Sequence, residues 1–451
     1  MMIKYLLVFF ISCVLLSCKN DDDYISISYQ IDEELLELIV DASDDRGIDF
    51  FILPNETDYT QIPQDPLNPI TAEKVSLGKM LVHETATGGN PKMEINKYMY
   101  ACASCHPVAS GFYSGLKQGI SEGGIGFGIS GEGRRMMSNN IMPRDSVDIL
   151  PIKVPTLLNV AYQEVALWNG SLGGAGINAP YVAQNANSIP ENLAGYQGLE
   201  TQGIAGQKVH RLKIDNEFVN EFGYNAMFDA AFPDVPLNER YSSLSGALAI
   251  AAYNRTVLAN KSPWQEYLRG DKKALSINQK EGAKIFFDKG QCIKCHTGPA
   301  LKSMDFYAWG MGDLEIMGKT NLSSKSFNLL TTRGRAEFTG RAEDNYKFKV
   351  PTLYNLKDSK FYGHGSTFTS VREVIEYKNK GQSQNPQVPQ VQLASQFGTI
   401  NLTEDEIDKL TDFLENSLYD AELRRYAPQF VLSGNCIPNN DMQSRIDLGC
   451  N

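Results

Sequence analysis

Apolar residues recur at helical spacing in five segments of the chain, and this pattern predicts amphipathic helices. The segments are 32–42, 73–82, 243–258, 278–287 and 404–418. Thr403 precedes Glu406 by three residues, the arrangement typical of a helix N-cap. Stretches rich in glycine and asparagine, such as 121–133 and 170–206, lie between the helical segments. Loops of this length are usually functional or held by a cofactor, so the pattern predicts a mainly α protein with functional loops.

The first residues of the chain predict export. Residues 1–17 place Lys4 ahead of a short apolar stretch, which is the pattern of a secretory signal peptide. The stretch ends in Leu-Leu-Ser before Cys18, which resembles a bacterial lipobox with Cys18 as the lipid anchor to the membrane. An ordinary cleaved signal with an incidental cysteine is the alternative. The acidic run within 19–23 resembles an outer-face sorting signal, so we expect an exported lipoprotein that faces the periplasm or is exposed at the outer membrane.

Composition narrows the class of protein. The chain has 451 residues, with 42 Lys and Arg against 53 Asp and Glu, and its formal net charge is −11. Its length and its hydrophobic fraction of 42% indicate a folded protein of two or three domains. Binding to phosphates requires a basic surface, so the acidic balance argues against nucleic acid as a partner. Beyond the signal segment, no apolar run is long enough to span a membrane.

Two C-x-x-C-H motifs carry the clearest chemistry. They consist of Cys102, Cys105 and His106 in the first copy, and Cys292, Cys295 and His296 in the second. In such a motif the two thiols attach to the vinyl groups of a haem, and the adjacent histidine binds the iron. Zinc would require a second Cys/His pair at suitable spacing, and a thioredoxin-like dithiol would not need the histidine. The sequence therefore predicts two covalently bound c-type haems, with His106 and His296 as proximal ligands.

An internal repeat accompanies the two motifs. The segment 153–160 recurs as 349–356, with Lys-Val-Pro-Thr-Leu in both copies. Fifteen residues past its lysine, the repeat pairs Trp168 with His364. Elements that repeat in one order at nearly one offset imply two related haem domains. We place them at 51–272 and 273–430, after a signal at 1–17 and an anchored segment at 18–50, and before a tail at 431–451.

The tail contains two further cysteines, Cys436 and Cys450. An exported protein folds in an oxidising compartment, so these cysteines are predicted to form a disulfide. Closing a loop of this size contributes on the order of 3 kcal/mol in the chain-entropy model.

Segments that resemble one known family surround the haem motifs. They are 77–79, 154–156, 168–170, 255–258, 262–264, 295–299, 348–353 and 362–364. In this order, over about residues 60–420, the chain resembles the bacterial dihaem cytochrome c peroxidases and their MauG relatives. The resemblance implies two tandem cytochrome c-like domains. It also implies that peroxide reacts at the N-terminal haem, which shares oxidising equivalents with the C-terminal haem.

The resemblance implies a peroxidase that reduces hydrogen peroxide. Its electrons would reach the C-terminal haem from an external donor, such as a small cytochrome, a cupredoxin or a quinol pathway. A MauG-like oxidase, which uses peroxide to oxidise a protein or a small molecule, is the first alternative. A non-enzymatic electron-transfer lipoprotein is the second, and it requires two six-coordinate haems. A homodimer is compatible with the sequence.

The resemblance also assigns residues around each iron. Trp168 lies in the segment that couples the two haems, and a core tryptophan at the domain interface would satisfy the same position. Phe127 stands where many relatives have a histidine that caps the resting N-terminal haem, so we expect this haem to be open to peroxide. Tyr377 is the expected distal ligand of the C-terminal haem, with Met311 and Met317 as alternatives.

Cleavage of peroxide requires a proton shuttle, and a carboxyl group whose pKa is raised by burial suits the task. The family uses a glutamate downstream of the tryptophan, for which Glu200 is the best match and Glu191 the rival. Some relatives bind calcium through an asparagine at the position of Lys153. A cation does not ligate a cation, so calcium is doubtful here. The ammonium of Lys153 is expected to replace calcium on the carbonyls of Ser359 and Phe361.

The remaining histidines receive structural interpretations. His83 and His210 are expected at the surface or in helix packing. His364 matches a family motif and is expected to hold a haem propionate or the domain interface rather than iron.

Overall fold

A computed structural model describes residues 21–314 and 333–450, with side chains from residue 29 onward. The signal segment, Cys18 and Met317 lie outside these residues. Within the described residues, none of the helices combines the length and the apolar character needed to cross a membrane.

Helices dominate the described residues, which confirms the predicted mainly α class. The helices are α1 Asp21–Asp41, α2 Ala72–His83, α3 Gly198–Val209, α4 Asn216–Glu221, α5 Asn225–Ala231, α6 Leu237–Arg240, α7 Ser243–Arg255, α8 Pro263–Leu268, α9 Ile277–Phe287, α10 Ala336–Thr339, α11 Val371–Lys380, α12 Glu404–Asp412 and α13 Met442–Leu448. The described residues also contain two short antiparallel pairs of β-strands. β1 Gly124–Ile125 pairs with β2 Arg135–Met136, and β3 Phe306–Tyr307 pairs with β4 Phe348–Lys349.

The five helices predicted from apolar spacing are all present as α1, α2, α7, α9 and α12. The first begins at Asp21, earlier than predicted, because the acidic block joins the helix. The last ends at Asp412 and continues as a π-helical turn over Phe413–Ser417. Thr403 caps α12 as predicted: its Oγ1 accepts the backbone N–H of Glu406 at 3.3 Å, and the Glu406 carboxylate accepts that of Thr403 at 2.8 Å.

Two helix pairs form the cores of the two repeats, and each pair crosses at a glycine. At Gly78 of α2, an added Cβ would lie 2.0 Å from the carbonyl oxygen of Ala249 in α7. At Gly282 of α9, it would lie 2.1 Å from the carbonyl oxygen of Lys409 in α12. Only a residue without a side chain allows these backbones to approach so closely. The repeated glycine therefore places equivalent helix crossings beside the two haem motifs.

The segment ahead of the first domain packs on the second repeat. Asp32 of α1 lies 2.8 Å from Nζ of Lys280 in α9 and accepts a hydrogen bond from the Tyr267 hydroxyl at 2.9 Å. Leu35 and Ile39 on the same helix are fully buried in the main apolar core. The described part of the segment 18–50 is thus a folded element and not only a tether.

Candidate active site

Both motif histidines open onto one cavity of about 930 Å³. Apolar side chains dominate the wall, and Cys292 and Cys295 lie on it beside His296. The four motif cysteines are free thiols in the polypeptide, as covalent attachment to haem requires. The repeat lysines, prolines and threonines at 153–156 and 349–352 also line the cavity.

The motif histidines are oriented in the same way in the two repeats. Nδ1 of His106 lies 3.0 Å from the carbonyl oxygen of Phe112, and Nδ1 of His296 lies 3.1 Å from that of Leu301. A carbonyl oxygen only accepts, so Nδ1 carries the proton and Nε2 keeps its lone pair. Burial lowers the pKa of each histidine to about 4, which keeps both rings neutral. Each histidine therefore has the tautomer of an iron ligand, fixed by a backbone partner.

Threonine side chains hold the repeat segments against the haem motifs. The Thr156 hydroxyl donates to the carbonyl oxygen of Gly111 at 2.7 Å, and the Thr352 hydroxyl donates to that of Ala300 at 2.8 Å. These equivalent bonds explain why Pro-Thr recurs after each motif.

Four buried lysines line the cavity without an acidic partner. None of the four has a carboxylate within ion-pair distance among the described residues; they are Lys153, Lys302, Lys349 and Lys378. Lys302 and Lys349 share the side-chain oxygen of Gln163, at 2.8 and 2.6 Å. Burial lowers the pKa of Lys153 and of Lys302 to about 7. A buried cation needs an anion, and two haems bring four propionates. The lysines, thiols and neutral histidines together fit two c-type haems.

Trp168 lies where the two repeats meet. Its indole Nε1 donates to the carbonyl oxygen of Lys153 at 2.7 Å, and its own carbonyl accepts the backbone N–H of Lys349 at 2.8 Å. His364 lies beside it, and its Nε2 is 2.8 Å from a carboxylate oxygen of Asp313. Both residues line the cavity. The interface role expected for His364 is therefore the one that its position supports.

The structure does not bring Glu200 to the cavity. Its carboxylate is fully buried and forms an ion pair with Nη2 of Arg255 at 2.7 Å, with a second bond to Nε at 3.1 Å. Asn68 donates to the same carboxylate at 3.2 Å. Leu199 and Gln202 on the same helix do line the cavity, so the carboxylate points to the opposite side of α3. This geometry corrects the sequence assignment, because a carboxylate held by arginine in the core cannot reach peroxide.

Tyr377 is also turned away from the cavity wall. Its hydroxyl donates to the carbonyl oxygen of Trp309 at 2.6 Å, and its ring packs against Phe368 and Phe397. Burial raises the pKa of Tyr377 to about 12. Met311 and Lys378 do line the cavity. The geometry therefore favours a wall residue such as Met311 over Tyr377 as the distal ligand.

The loop that contains Phe127 is fastened away from the cavity. Residues 114–149 are all described, and none of them lines the cavity. Asp447 accepts the backbone N–H groups of Phe127 and Gly128 at 2.7 and 2.9 Å, and Asp441 accepts that of Gly126 at 2.9 Å. Both aspartates belong to the tail that the Cys436–Cys450 disulfide closes. The tail thus holds the loop that contains Phe127.

Lys153 reaches Ser359 as expected, but through a different atom. Its Nζ donates to the Ser359 hydroxyl at 3.2 Å, and that hydroxyl donates to the carbonyl oxygen of Phe361 at 2.7 Å. The ammonium also lies 4.1 Å from the centroid of the Tyr113 ring. The expected contact with two carbonyls is therefore replaced by a relay through the serine. The absence of calcium stays a prediction.

His210 was expected at the surface or in helix packing, and the structure places it on the cavity wall. It follows α3 directly, and its Nδ1 lies 2.8 Å from a carboxylate oxygen of Asp148. The two residues are 62 positions apart, so no local pattern could connect them. His83, by contrast, is buried in helix packing as expected. Glu191 lines the cavity and pairs with Lys208 at 3.0 Å.

Two C-x-x-C-H motifs whose histidines open onto one cavity, with Trp168 on its wall, are the arrangement expected of a dihaem cytochrome. Residues 72–273 match the family model of the di-haem cytochrome c peroxidases. The cytochrome-c peroxidase IdrP1 of Pseudomonas sp. strain SCT is 28% identical over 337 residues, which cover 71% of this chain and 75% of that protein. The methylamine utilization protein MauG of Methylorubrum extorquens is 24% identical over 357 residues, covering 78% and 80%.

Solved structures show the same fold. A MauG-like protein associated with microbial copper homeostasis superposes with a TM-score of 0.56 at 21% identity, covering 84% of this chain and 97% of that one. The diheme peroxidase BthA of Burkholderia thailandensis gives a TM-score of 0.50 at 15% identity, covering 80% and 89%. Over 71% to 78% of its length the chain is thus similar to a di-haem cytochrome c peroxidase and to MauG, and this similarity supports an oxidoreductase of the peroxidase class.

Proposed function

We propose that this protein reduces hydrogen peroxide to water at the N-terminal haem, which is open in the resting enzyme. The reaction consumes one peroxide, two protons and two electrons, and it yields two waters. The observation that carries the proposal is the position of the 114–149 loop. Asp441 and Asp447 of the tail hold this loop off the cavity, and Phe127 replaces the capping histidine. No residue of the loop then needs to leave before peroxide binds.

Bound haem supplies an iron that accepts peroxide oxygen and exchanges electrons. The chain supplies the surroundings of that reaction. His106 offers Nε2 as the proximal ligand, oriented by the carbonyl of Phe112. The apolar wall excludes water. The buried amino group of Lys153 is placed to neutralise a propionate of the haem.

Electrons enter from an external donor at the C-terminal haem and pass between the sites beside Trp168. The position of Trp168 on the cavity wall, with bonds to both repeat lysines, supports this route. A small cytochrome, a cupredoxin or a quinol pathway is the class of donor that we expect. In the MauG-like alternative, the same residues draw electrons from a protein or small-molecule substrate.

Resting-state electron paramagnetic resonance and optical spectra, followed by peroxide addition, test the proposal. We expect one high-spin and one low-spin haem, and a spectral change with one equivalent of peroxide. Two low-spin haems that do not react would contradict any peroxide chemistry and favour the electron-transfer cytochrome. Turnover with reduced small cytochrome as donor separates the peroxidase from the oxidase, because the oxidase would react with peroxide yet fail to turn over with this donor.

We also propose that Cys18 carries a lipid and anchors the exported protein. The lipobox-like sequence before Cys18 supports this. Expression of a Cys18→Ala variant should release the protein from the membrane fraction. Surface protease digestion of intact cells then distinguishes the outer from the periplasmic face.

A further inference from the structure

His210 and Asp148 form a hydrogen-bonded pair at the cavity wall. Nδ1 of His210 lies 2.8 Å from Oδ2 of Asp148, and Nη2 of Arg211 lies 3.1 Å from the same oxygen. The exposed fractions of the two side chains are 23% for His210 and 15% for Asp148. His106 and His210 line the same cavity, and so does Leu150, two residues after Asp148. The pair therefore belongs to the N-terminal part of the cavity.

The surroundings fix the orientation of the imidazole. Burial alone would raise the pKa of Asp148, but the hydrogen bonds and charges of His210 and Arg211 outweigh it and hold that pKa below its usual range. An ionised carboxylate only accepts, so Nδ1 of His210 carries a proton and the neutral ring keeps a lone pair on Nε2. The backbone of Asp148 is anchored too, because its N–H donates to the Glu122 carbonyl at 2.9 Å. Glu122 also accepts from Nε of Arg211 at 2.7 Å.

The two glutamates that the sequence analysis offered as acid–base groups both have cationic partners. Glu200 is held by Arg255 in the core. Glu191 lies on the wall but pairs with Lys208, and Gln202 has no proton to exchange at neutral pH. A histidine whose second nitrogen is held by a carboxylate is the arrangement that proton transfer requires.

We propose that His210, positioned by Asp148, is the acid–base residue for peroxide at the N-terminal haem. With haem bound, Nε2 would take the proton from one peroxide oxygen and return it to the other, which leaves as water when the O–O bond breaks. The remaining oxygen would take two protons from solvent and two electrons from the external donor of the proposed function, and would leave as the second water. The inference rests on that function. It gives His210 the proton-shuttle role that the resemblance assigned to Glu200.

Cyanide binding gives a test that is independent of turnover. Hydrogen cyanide must lose its proton to bind iron as the anion, so a base beside the site speeds its association. We expect His210→Gln to slow both cyanide association and the peroxide-induced spectral change by roughly 10²-fold. The resting spectrum should be unchanged. Asp148→Asn should give a smaller loss of both rates, since it disturbs only the orientation of the ring.

His83→Gln is the matched control, because His83 is buried in helix packing and does not line the cavity. It should leave both rates unchanged. Wild-type rates in His210→Gln would overturn the inference while the proposed function stands. If the wild-type protein is inert to peroxide, the proposed function fails, and the cyanide rates still decide whether His210 is a base. A resting low-spin signal that turns high-spin in His210→Gln would identify His210 as an iron ligand and also overturn the inference.

Discussion

The indole of Trp168 and the imidazole of His364 meet edge to face, with their ring centroids 6.3 Å apart. The two residues occupy equivalent places in the sequence repeat, and the carbonyl of each accepts a hydrogen bond from the other copy. The carbonyl of Trp168 accepts the backbone N–H of Lys349 at 2.8 Å, and the carbonyl of His364 accepts that of Lys153 at 2.9 Å. This reciprocal exchange is what a pseudo-twofold axis between the repeats requires. It fixes one haem site against the other.

Trp168→Phe should slow electron transfer between the haems several-fold. The variant keeps an aromatic ring but loses the indole donor to the Lys153 carbonyl, so its stability should fall by about 1 kcal/mol. The measurement is the rate at which the N-terminal haem is re-reduced after peroxide, with the donor in excess. Trp264→Phe is the control, because Trp264 is buried in the core and does not line the cavity. Equal rates in the two variants would contradict a coupling role.

Glu200→Gln should weaken the fold more than the reaction. It leaves Arg255 as a buried charge without its partner, which costs about 3 kcal/mol in the free energy of unfolding. The rate of the peroxide-induced spectral change should stay within a few-fold of wild type. Denaturant unfolding and stopped-flow spectroscopy measure the two effects. A roughly 10²-fold slower reaction with unchanged stability would instead restore Glu200 as the acid–base group.

Tyr377→Phe should leave the ligands of the C-terminal haem unchanged. The lost hydrogen bond to the Trp309 carbonyl should cost about 1 kcal/mol of stability. Electron paramagnetic resonance of the low-spin haem is the direct readout. Loss of the low-spin signal would show that Tyr377 is the ligand after all. Parallel Met311→Leu and Lys378→Leu variants then assign the ligand among the residues on the wall, and we expect the change in Met311→Leu.

Removal of the tail disulfide should release the loop that contains Phe127. A Cys436→Ser, Cys450→Ser double variant loses about 3 kcal/mol of stability in the chain-entropy model. Because Asp447 is then less firmly placed, the amide hydrogens of Phe127 and Gly128 should exchange faster. Asp447→Asn is the matched variant, since it weakens the same bonds and keeps the disulfide. Unchanged exchange in both variants would show that the tail does not hold the loop.

His83 should contribute to acid sensitivity. Burial lowers its pKa to about 4 in the folded protein, against an ordinary value of 6.5. The unfolded chain therefore binds a proton that the folded protein does not, and stability falls as the pH drops from 6.5 towards 4. The expected loss is about 3 kcal/mol. Unfolding of His83→Gln and wild type between pH 7 and 4 measures it, and the difference between their stabilities should change over this window.

Local sequence patterns revealed the haem motifs and the repeat, and they predicted five of the helices and the tail disulfide. Each depends on residues close in the chain, or on two copies of one pattern, and a sequence displays both. The pairing of Trp168 with His364 was visible in the repeat for the same reason. Glu200 and Tyr377 show where this reasoning stops. They lie on α3 and α11, which the apolar spacing did not predict, and the face that each side chain takes depends on partners far away in sequence, Arg255 and Trp309.

The sequence by itself determined two C-x-x-C-H motifs, an internal repeat around them and a mainly helical fold, because haem attachment and helix formation depend on spacings of a few residues. Only the tertiary structure decided which side chains line the cavity and which face away from it. It placed His210 beside Asp148, turned Glu200 into the core and fastened the Phe127 loop to the tail. These contacts join residues tens to hundreds of positions apart, and they form only when the whole core has packed.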